Sequence, residues 1–330
     1  MPFDGALLGP STASDRAWAD VDDTAWLQAM LDVEAALAEA AADAGVVSRE
    51  SADAVAAWCH ADRFDLVDLG RRAATAGGPV IPLVADLRAV VPAEAGAAVH
   101  VGATSQDVID TSLMLLASRS LARLDGELER AASAAATLAE RHRDDLAVGR
   151  TLGQHAVPVT FGLTAATWLV GLVDSRALAA RVATERLAVQ LGGAAGTLAP
   201  LGDAGPSVVE RLAARLRLTA PPLPWHTTRN RTAELAAALA VVAGSLGRVA
   251  TDVIALARTE AGEVREGSSG GSSAMPHKRN PAQAALVVSA APTVSASAVR
   301  SGSHSACHGP AVRWCSWSCA PMTIEASPLT

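Results

Sequence analysis

The sequence is poor in residue types that build sheet-rich proteins. It contains no tyrosine, and aromatic residues make up 3% of its 330 positions. Alternating β-branched and aromatic stretches are rare, whereas alanine-rich runs such as residues 34–42 are common. Because alanine and leucine are good helix formers, this composition disfavours strands and favours helices. The sequence therefore predicts an all-α protein.

Positive charge is scarce, and lysine is almost absent. Lys278 is the only lysine among 27 cationic side chains, and the formal net charge is −7. A negative net charge argues against nucleic acid and against an anionic membrane surface as partners. An anionic substrate must therefore be attracted by a local positive site rather than by the overall field of the protein.

Disulfide, leader and metal signals are also missing. The four cysteines show no pairing pattern of a disulfide framework, and no basic-then-apolar leader opens the chain. We therefore expect a cytoplasmic protein. The charge-free run 151–173 is long enough for a membrane span, but its polar residues favour a buried helix. No metal-ligand spacing occurs, so we expect no metal.

Apolar periodicity predicts a first substantial helix over residues 26–42 and, further along, several long helices. Pro158 is expected in the first turn of the second long helix, after a polar turn at Gly149–Pro158. Pro281 is expected at the first position of the fourth, with Asn280 as its N-cap. The predicted long helices run from about 105 to 144, from 158 to 191, from 232 to 264, and from 281 onward.

The segment before Pro281 is the most polar and most glycine-rich part of the chain. Every residue from Gly267 to Ser273 is glycine or serine, and Lys278 follows shortly after. Such a segment predicts a mobile loop, and the helix after it presents unpaired backbone N–H groups at its start. A cation beside the positive end of a helix favours an anion-binding site.

The last forty residues differ from the rest. From Val287 to Pro328 there is no leucine, and serine and cysteine become dense. We expect Pro292 to end the helix that starts at Pro281, because proline lacks the N–H that a helix interior requires. The hypothesis that follows is an altered reading frame or an altered end of the sequence near Ser289. A natural disordered tail is the alternative.

Three blocks of the sequence, in the same order along the chain, resemble the motif regions of the fumarase/aspartase superfamily. They are Gly102–Thr111, Gly149–Thr160 and Gly271–Pro281, the last of which reads Gly-Ser-Ser-Ala-Met-Pro-His-Lys-Arg-Asn-Pro. The resemblance implies a bundle of long helices with a small N-terminal helical domain and no cofactor. It also implies a homotetramer whose active sites combine segments from three subunits. The predicted regions are 1–101 for the N-terminal domain, 102–290 for the bundle with a catalytic loop at 266–281, and 291–330 for an aberrant tail.

Within this superfamily the sequence is most similar to the bacterial 3-carboxy-cis,cis-muconate cycloisomerases of aromatic-acid catabolism. Leu152 supports this branch, because the lyases and fumarase typically carry a histidine there, and a leucine cannot transfer a proton. An adenylosuccinate lyase-like activity is one alternative, since the signature loop of that enzyme also often reads Met-Pro-His-Lys. A truncated, inactive relative is another, because the tail matches no counterpart of the family's C-terminal part.

The resemblance also implies roles for individual residues. Ser272 is expected to transfer a proton, while Lys278 and Asn280 stabilise negative charge that develops on the substrate. The expected contacts to substrate carboxylates are Thr104, Ser105, Gln106, Thr151 and Gln154.

Several of these residues have structural alternatives. Asn280 is as readily a helix cap as a charge-stabilising group. Thr104 or Ser105 can also be caps, and Thr104 with Asp107 fits a capping box at the start of the first long helix. Arg229 is a candidate for binding a substrate carboxylate through two parallel hydrogen bonds. A salt bridge between helices is an equal alternative for Arg229.

Overall fold

The computed structural model of this protein describes residue 17 and residues 19–267, 270–301 and 324–326. Most of these residues are helical, which confirms the predicted all-α class. The α-helices are α1 (Asp23–Asp43), α2 (Arg49–Ala56), α3 (Leu66–Ala76), α4 (Val80–Val90), α5 (Ser105–Arg141), α6 (Phe161–Glu185), α7 (Gly205–Leu216), α8 (Asn230–Leu256) and α9 (Ala282–Ser301). Short 3-10 helices lie at Ala61–Arg63, Ala93–Ala98 and Ala199–Ala204. The strands are β1 (Leu146–Thr151), β2 (Gln154–Thr160), β3 (Val264–Glu266) and β4 (Ile324–Ala326).

The described residues divide into two compact units that do not follow chain order. The first unit contains residues 19–120 and 182–232, and the second contains residues 17, 121–181, 233–267, 270–301 and 324–326. Helices α5, α6 and α8 therefore each contribute residues to both units. The domain boundaries inferred from the sequence, at residues 101 and 290, remain a prediction.

Helix α1 is the centre of the first unit. One of its faces, which includes the fully buried Leu31, packs in an apolar cluster with residues of α2, α3 and α4. Another face, which includes Leu37, packs against α7 and the segment 189–201. This two-sided burial explains why apolar residues of α1 occupy more than one stripe of the helix. The predicted helix over residues 26–42 is confirmed.

In the second unit, the first turn of α6 packs closely against the end of α5. A Cβ atom on Gly162 would lie 2.6 Å from the carbonyl oxygen of Ala139, so only glycine permits this approach. Phe161 contacts Trp168 edge-to-face, with ring centroids 5.8 Å apart. The indole N–H of Trp168 donates to Asp252 at 2.9 Å, which satisfies a buried polar group.

Helix α8 is the one described helix that is long and apolar enough to cross a membrane. In its most apolar 18-residue window, 28% of the residues are buried. A core helix of a soluble protein meets the same criteria of length and composition, so this finding alone is weak evidence for a span. The helix ends at Leu256, eight residues before the predicted end at Val264.

The prediction for the second motif region was wrong. Residues 146–160 form an antiparallel β-hairpin, with Thr151 paired to Gln154 across a two-residue turn. Leu152 and Gly153 have φ angles of 50° and 76°, the positive values that a type I′ hairpin turn requires. Pro158 therefore lies in β2 opposite Val148 and not in a helix, and α6 begins only at Phe161. A two-stranded ribbon leaves each strand one unpaired edge, where proline is tolerated.

Two predictions for the last long helix were also wrong. Helix α9 begins at Ala282, and Pro281 accepts its first backbone hydrogen bond, so Pro281 and not Asn280 occupies the capping position. Pro292 lies inside α9, which continues to Ser301. Pro292 is exposed, so water can satisfy the carbonyl group that loses its hydrogen bond. Most of the predicted aberrant tail, residues 302–323 and 327–330, lies outside the described residues.

Candidate active site

The glycine-rich loop of the second unit is closed at its base by a reciprocal pair of hydrogen bonds. The backbone N–H groups of Gly270 and Asn280 each donate to the other residue's carbonyl at 2.9 Å. A Cβ atom on Gly270 would lie 2.7 Å from the Cβ of Ala282, so this closure requires glycine. The Asn280 side chain donates from Nδ2 to the Gly271 carbonyl at 3.0 Å. Asn280 thus holds the base of the loop, and the helix-cap alternative for its side chain was wrong.

Ser272 lies just inside this closure and accepts hydrogen bonds from the backbone. Its Oγ receives the N–H of Met275 at 3.1 Å and, more weakly, that of Ala274 at 3.4 Å. Donors that point at an oxygen stabilise its anionic form more than its neutral form. Because the hydroxyl accepts these bonds, its own proton remains available for transfer. The geometry therefore suits a group that gives up a proton and regains it.

Lys278 stands on the outer part of the same loop. Its backbone N–H donates to the Met275 carbonyl at 3.0 Å, which forms a tight turn, and its side chain is exposed. Ser272, Lys278 and Asn280 are therefore carried by a single short loop with a defined base.

The positive end of α9 is already occupied by an anion of the protein itself. The carboxylate of Glu266, which is 5% exposed, accepts from the backbone N–H of Ala284 at 2.7 Å and of Gln283 at 3.3 Å. A buried carboxylate at a helix N-terminus is stabilised by the helix dipole and by these donors. The expectation that this helix end is free for an external anion was therefore wrong, and Glu266 was not foreseen.

The two candidate substrate ligands of the second motif region flank the tip of the β-hairpin. Thr151 and Gln154 pair with each other, and both side chains are exposed. Leu152, in the turn between them, is 103% exposed. Chemically, the tip offers one hydroxyl and one amide to a ligand, and no group at position 152 that can carry a proton.

In the first unit, the start of α5 surrounds a buried carboxylate. Asp107 is 1% exposed and accepts five hydrogen bonds at 2.6–3.1 Å. The donors are the backbone N–H groups of Thr104, Gly192 and Gly193, the Gln190 amide and the His226 ring. The bond from Thr104 places this residue at the N-cap and forms half of the predicted capping box. The candidate substrate ligands at this helix start are partly exposed, namely Thr104, Ser105 and Gln106.

Arg229 is bound to a second buried carboxylate one turn along α5. Its Nη1 and Nη2 donate to the two carboxylate oxygens of Asp110 at 2.6 and 2.9 Å. The guanidinium also lies 5.2 Å from the ring centroid of Trp225, in cation–π contact. The structure thus shows the salt-bridge alternative for this arginine.

The structure thus groups the candidate residues by element. The loop holds Ser272, Lys278 and Asn280, the hairpin tip holds Thr151 and Gln154, and the start of α5 holds Thr104, Ser105 and Gln106. Sequence reasoning named none of the buried acids that hold these elements in place, namely Asp110, Glu263 and Glu266, and named Asp107 only as a cap. Their partners lie far away in the chain, so the local sequence carried no signal for them.

The helical fold and the three motif regions together are those of the fumarase/aspartase superfamily. A family model described as Lyase matches residues 10–295, and the chain belongs to this family. It is 47% identical over 291 residues to a 3-carboxy-cis,cis-muconate cycloisomerase of Bradyrhizobium diazoefficiens, covering 86% of this chain and 64% of the relative. It is 44% identical over 302 residues to a nitrosuccinate lyase of Streptomyces davaonensis, covering 87% of this chain and 64% of the relative.

Among solved structures, the fold is similar to the 3-carboxy-cis,cis-muconate lactonizing enzyme of Pseudomonas putida. The TM-score is 0.89 at 37% identity, over 98% of this chain and 78% of that one. The chain thus spans less than two thirds of the length of the two curated relatives.

Proposed function

We propose that this chain is a 3-carboxy-cis,cis-muconate cycloisomerase, which closes its substrate to 4-carboxymuconolactone in aromatic-acid catabolism. The observation that carries the proposal is the 47% identity, over 86% of the chain, to a relative of that name. The geometry of the Ser272 loop supports it, because the reaction needs a proton-transferring group beside donors for negative charge.

The reaction is an internal addition in which no atom is lost. One substrate carboxylate forms a C–O bond to a carbon of the conjugated system, and an electron pair shifts toward a second carboxylate. The resulting enolate-like dianion is relieved when a proton is added to carbon. Ser272 supplies that proton, the N–H groups of Met275 and Ala274 stabilise the oxygen it leaves behind, and a proton from solvent then restores the hydroxyl. Lys278 and Asn280 stabilise the dianion.

The remaining candidates bind the carboxylates that do not react. Thr104, Ser105 and Gln106 offer donors from the start of α5, and Thr151 and Gln154 offer them from the hairpin tip. Arg229 is a different case, because both of its terminal nitrogens are bound to Asp110. It binds a substrate carboxylate through the same pair of N–H groups only by exchanging that partner.

We further propose a cytoplasmic homotetramer without nucleic-acid or membrane partners. Exposed apolar side chains on α6 and α8 support assembly: Leu163, Val170 and Val241 are 57%, 58% and 47% exposed. A helix as apolar as α8 with this little burial gains stability when another protein surface covers it. Light scattering at several protein concentrations tests this, and a strictly monomeric chain contradicts it.

A second candidate activity is that of a nitrosuccinate lyase, which is favoured by the 44% identity over 87% of the chain. In that elimination a base removes a proton from carbon, nitrite leaves from the neighbouring carbon, and fumarate forms. The same loop suits this chemistry, because the carbanion is again stabilised as an enolate-like form of a carboxylate. The alternatives from the sequence, an adenylosuccinate lyase-like activity and an inactive relative, enter the same test.

The test incubates the purified chain separately with carboxymuconate, nitrosuccinate and adenylosuccinate. We expect loss of the ultraviolet absorbance of the conjugated diene with carboxymuconate, and neither nitrite nor fumarate from the other two. Nitrite release without lactone formation replaces the first proposal with the second. Turnover of adenylosuccinate alone contradicts both. A folded chain that turns over none of the three is the inactive relative.

A further inference from the structure

The hairpin that carries Thr151 and Gln154 is tied by one ion pair to the segment that leads into the Ser272 loop. Arg150, the residue directly before Thr151, donates from Nη2 to Glu263 Oε1 at 2.5 Å. The Glu263 side chain is 6% exposed and the Arg150 side chain 20%, so the pair is largely withdrawn from solvent. Glu263 also raises the pKa of the Arg150 guanidinium, chiefly through this hydrogen bond. Breaking a shielded pair leaves an uncompensated charge and costs more than breaking a surface salt bridge.

A defect in the hairpin ladder accompanies this pair. The register of β1 against β2 shifts between Val148 and Arg150, where Gly149 of β1 lies opposite two residues of β2, Ala156 and Val157, so that β2 carries a β-bulge. A Cβ atom on Gly149 would lie 2.5 Å from the carbonyl oxygen of Val157, which no other residue type permits without movement. Bulges change the direction in which the next side chain points. Here Arg150, the first paired residue of β1 beyond the bulge in β2, is the residue bound to Glu263.

Glu263 belongs to a short segment that is anchored at both ends. Its backbone N–H donates to the Leu256 carbonyl at 3.0 Å, at the end of α8. Three residues further on, the buried Glu266 holds the first turn of α9. Two buried carboxylates of one segment thus hold two different elements: Glu263 the hairpin, and Glu266 the helix after the loop.

We propose that Glu263, acting through Arg150, is a positioning residue for substrate binding, because it sets the direction of the hairpin tip that carries Thr151 and Gln154. This inference rests on the proposed function for the identity of the substrate. The restraint of the hairpin by the Arg150–Glu263 pair does not depend on that function. The hairpin tip is exposed on both strands, so among the described contacts of its side chains this pair is the strongest restraint on where it points. Without it, the ligands are present but poorly placed.

The test compares Glu263→Gln with Glu266→Gln, two changes of one buried carboxylate to an amide in the same segment. For Glu263→Gln we expect KM for the substrate to rise roughly tenfold with little change in kcat, because misplaced ligands weaken binding. Amide hydrogen exchange should accelerate in residues 146–160 and not in α9. For Glu266→Gln we expect the reverse pattern of exchange, with acceleration at the start of α9 only.

Arg150→Lys is the milder companion variant: it keeps the positive charge but loses the guanidinium, so we expect it to raise KM less than Glu263→Gln does. If Glu263→Gln leaves hairpin exchange and KM at wild-type values, the proposal is overturned. Equal acceleration throughout the chain in both variants also overturns it, because that is general destabilisation. If the wild type turns over no substrate, the proposed function fails, while the exchange comparison still decides on the link.

Discussion

Two of the three regions that carry candidate site residues, the start of α5 and the Ser272 loop, are built in opposite ways. In the first unit, the start of α5 rests on Asp107, which is buried and receives five hydrogen bonds. In the second unit, the Ser272 loop is largely exposed and is closed by two backbone hydrogen bonds at its base. Buried, fully satisfied polar networks stabilise a fold, whereas mobile segments come from its least stable parts. Stability and chemistry should therefore respond to different substitutions.

The largest effect is expected from Ser272→Ala. Removal of a proton-transferring group should lower kcat by about 10²- to 10⁴-fold while the melting temperature stays unchanged. The steady-state rate with carboxymuconate measures this, and Ser273→Ala in the same loop is the matched control. Comparable rates for the two variants would remove Ser272 from its proposed role. A large fall in melting temperature would blur the contrast between the two regions.

Asp107→Asn should do the opposite. The amide replaces an ionised acceptor of five hydrogen bonds and points N–H groups at other donors, which should lower the free energy of unfolding by about 3 kcal/mol. Urea titration measures this, with Asp53→Asn, an exposed position on α2, as the control. An unchanged unfolding midpoint for Asp107→Asn would show that the network is not a stabilising element.

A smaller and local effect on stability, apart from any loss of dianion stabilisation, is expected at the base of the loop. Asn280→Ala removes the hydrogen bond to the Gly271 carbonyl, a contribution of about 1 kcal/mol. Amide exchange at Gly270 and Asn280 should then accelerate about fivefold without a change in global stability. The exposed neighbour Gln283→Ala serves as the control. Unchanged exchange in Asn280→Ala would mean that the backbone pair alone closes the loop.

The smallest effect is expected from a surface pair. Arg248 donates to Asp252 at 2.9 Å along α8, and the Arg248 side chain is 62% exposed. Such pairs contribute about 0.3–0.5 kcal/mol, so Arg248→Ala should barely change the urea midpoint. Asp252 also accepts the N–H of the buried Trp168 indole. Asp252→Ala leaves that N–H without its acceptor, so it should lower the free energy of unfolding more than Arg248→Ala does. Equal costs for the two variants would contradict this ranking.

The helices were predictable where their signals were local. The apolar periodicity that predicts α1 and α5 is contained within each helix, and both helices form nearly where they were predicted. The hairpin was missed because Leu152, at its turn, adopts a positive φ that the sequence gives no reason to expect. Proline at position 292 was overweighted, because whether a helix tolerates proline depends on exposure, which no local pattern reveals.

The site was predictable only in its motif residues. One recognisable block of eleven residues, Gly271–Pro281, contains Ser272, Lys278 and Asn280, and this is why they were found. Their supports were not, because Glu266 binds α9 across the loop and Glu263 binds a residue 113 positions away. Long-range pairs of this kind leave no periodic trace. Asp107 was recognised for its local bond to Thr104 but not for the network around it.

The single lysine has a practical consequence. Lys278 is exposed on the loop and is the chain's only side-chain amine. A reagent that acylates lysine side chains therefore modifies one side chain, that of Lys278. A fluorophore coupled in this way reports on the loop of the natural sequence without any engineered cysteine. By the same logic, immobilising the protein on a biosensor surface through lysine chemistry covers the loop. Such an experiment would report weak binding for a reason unrelated to affinity.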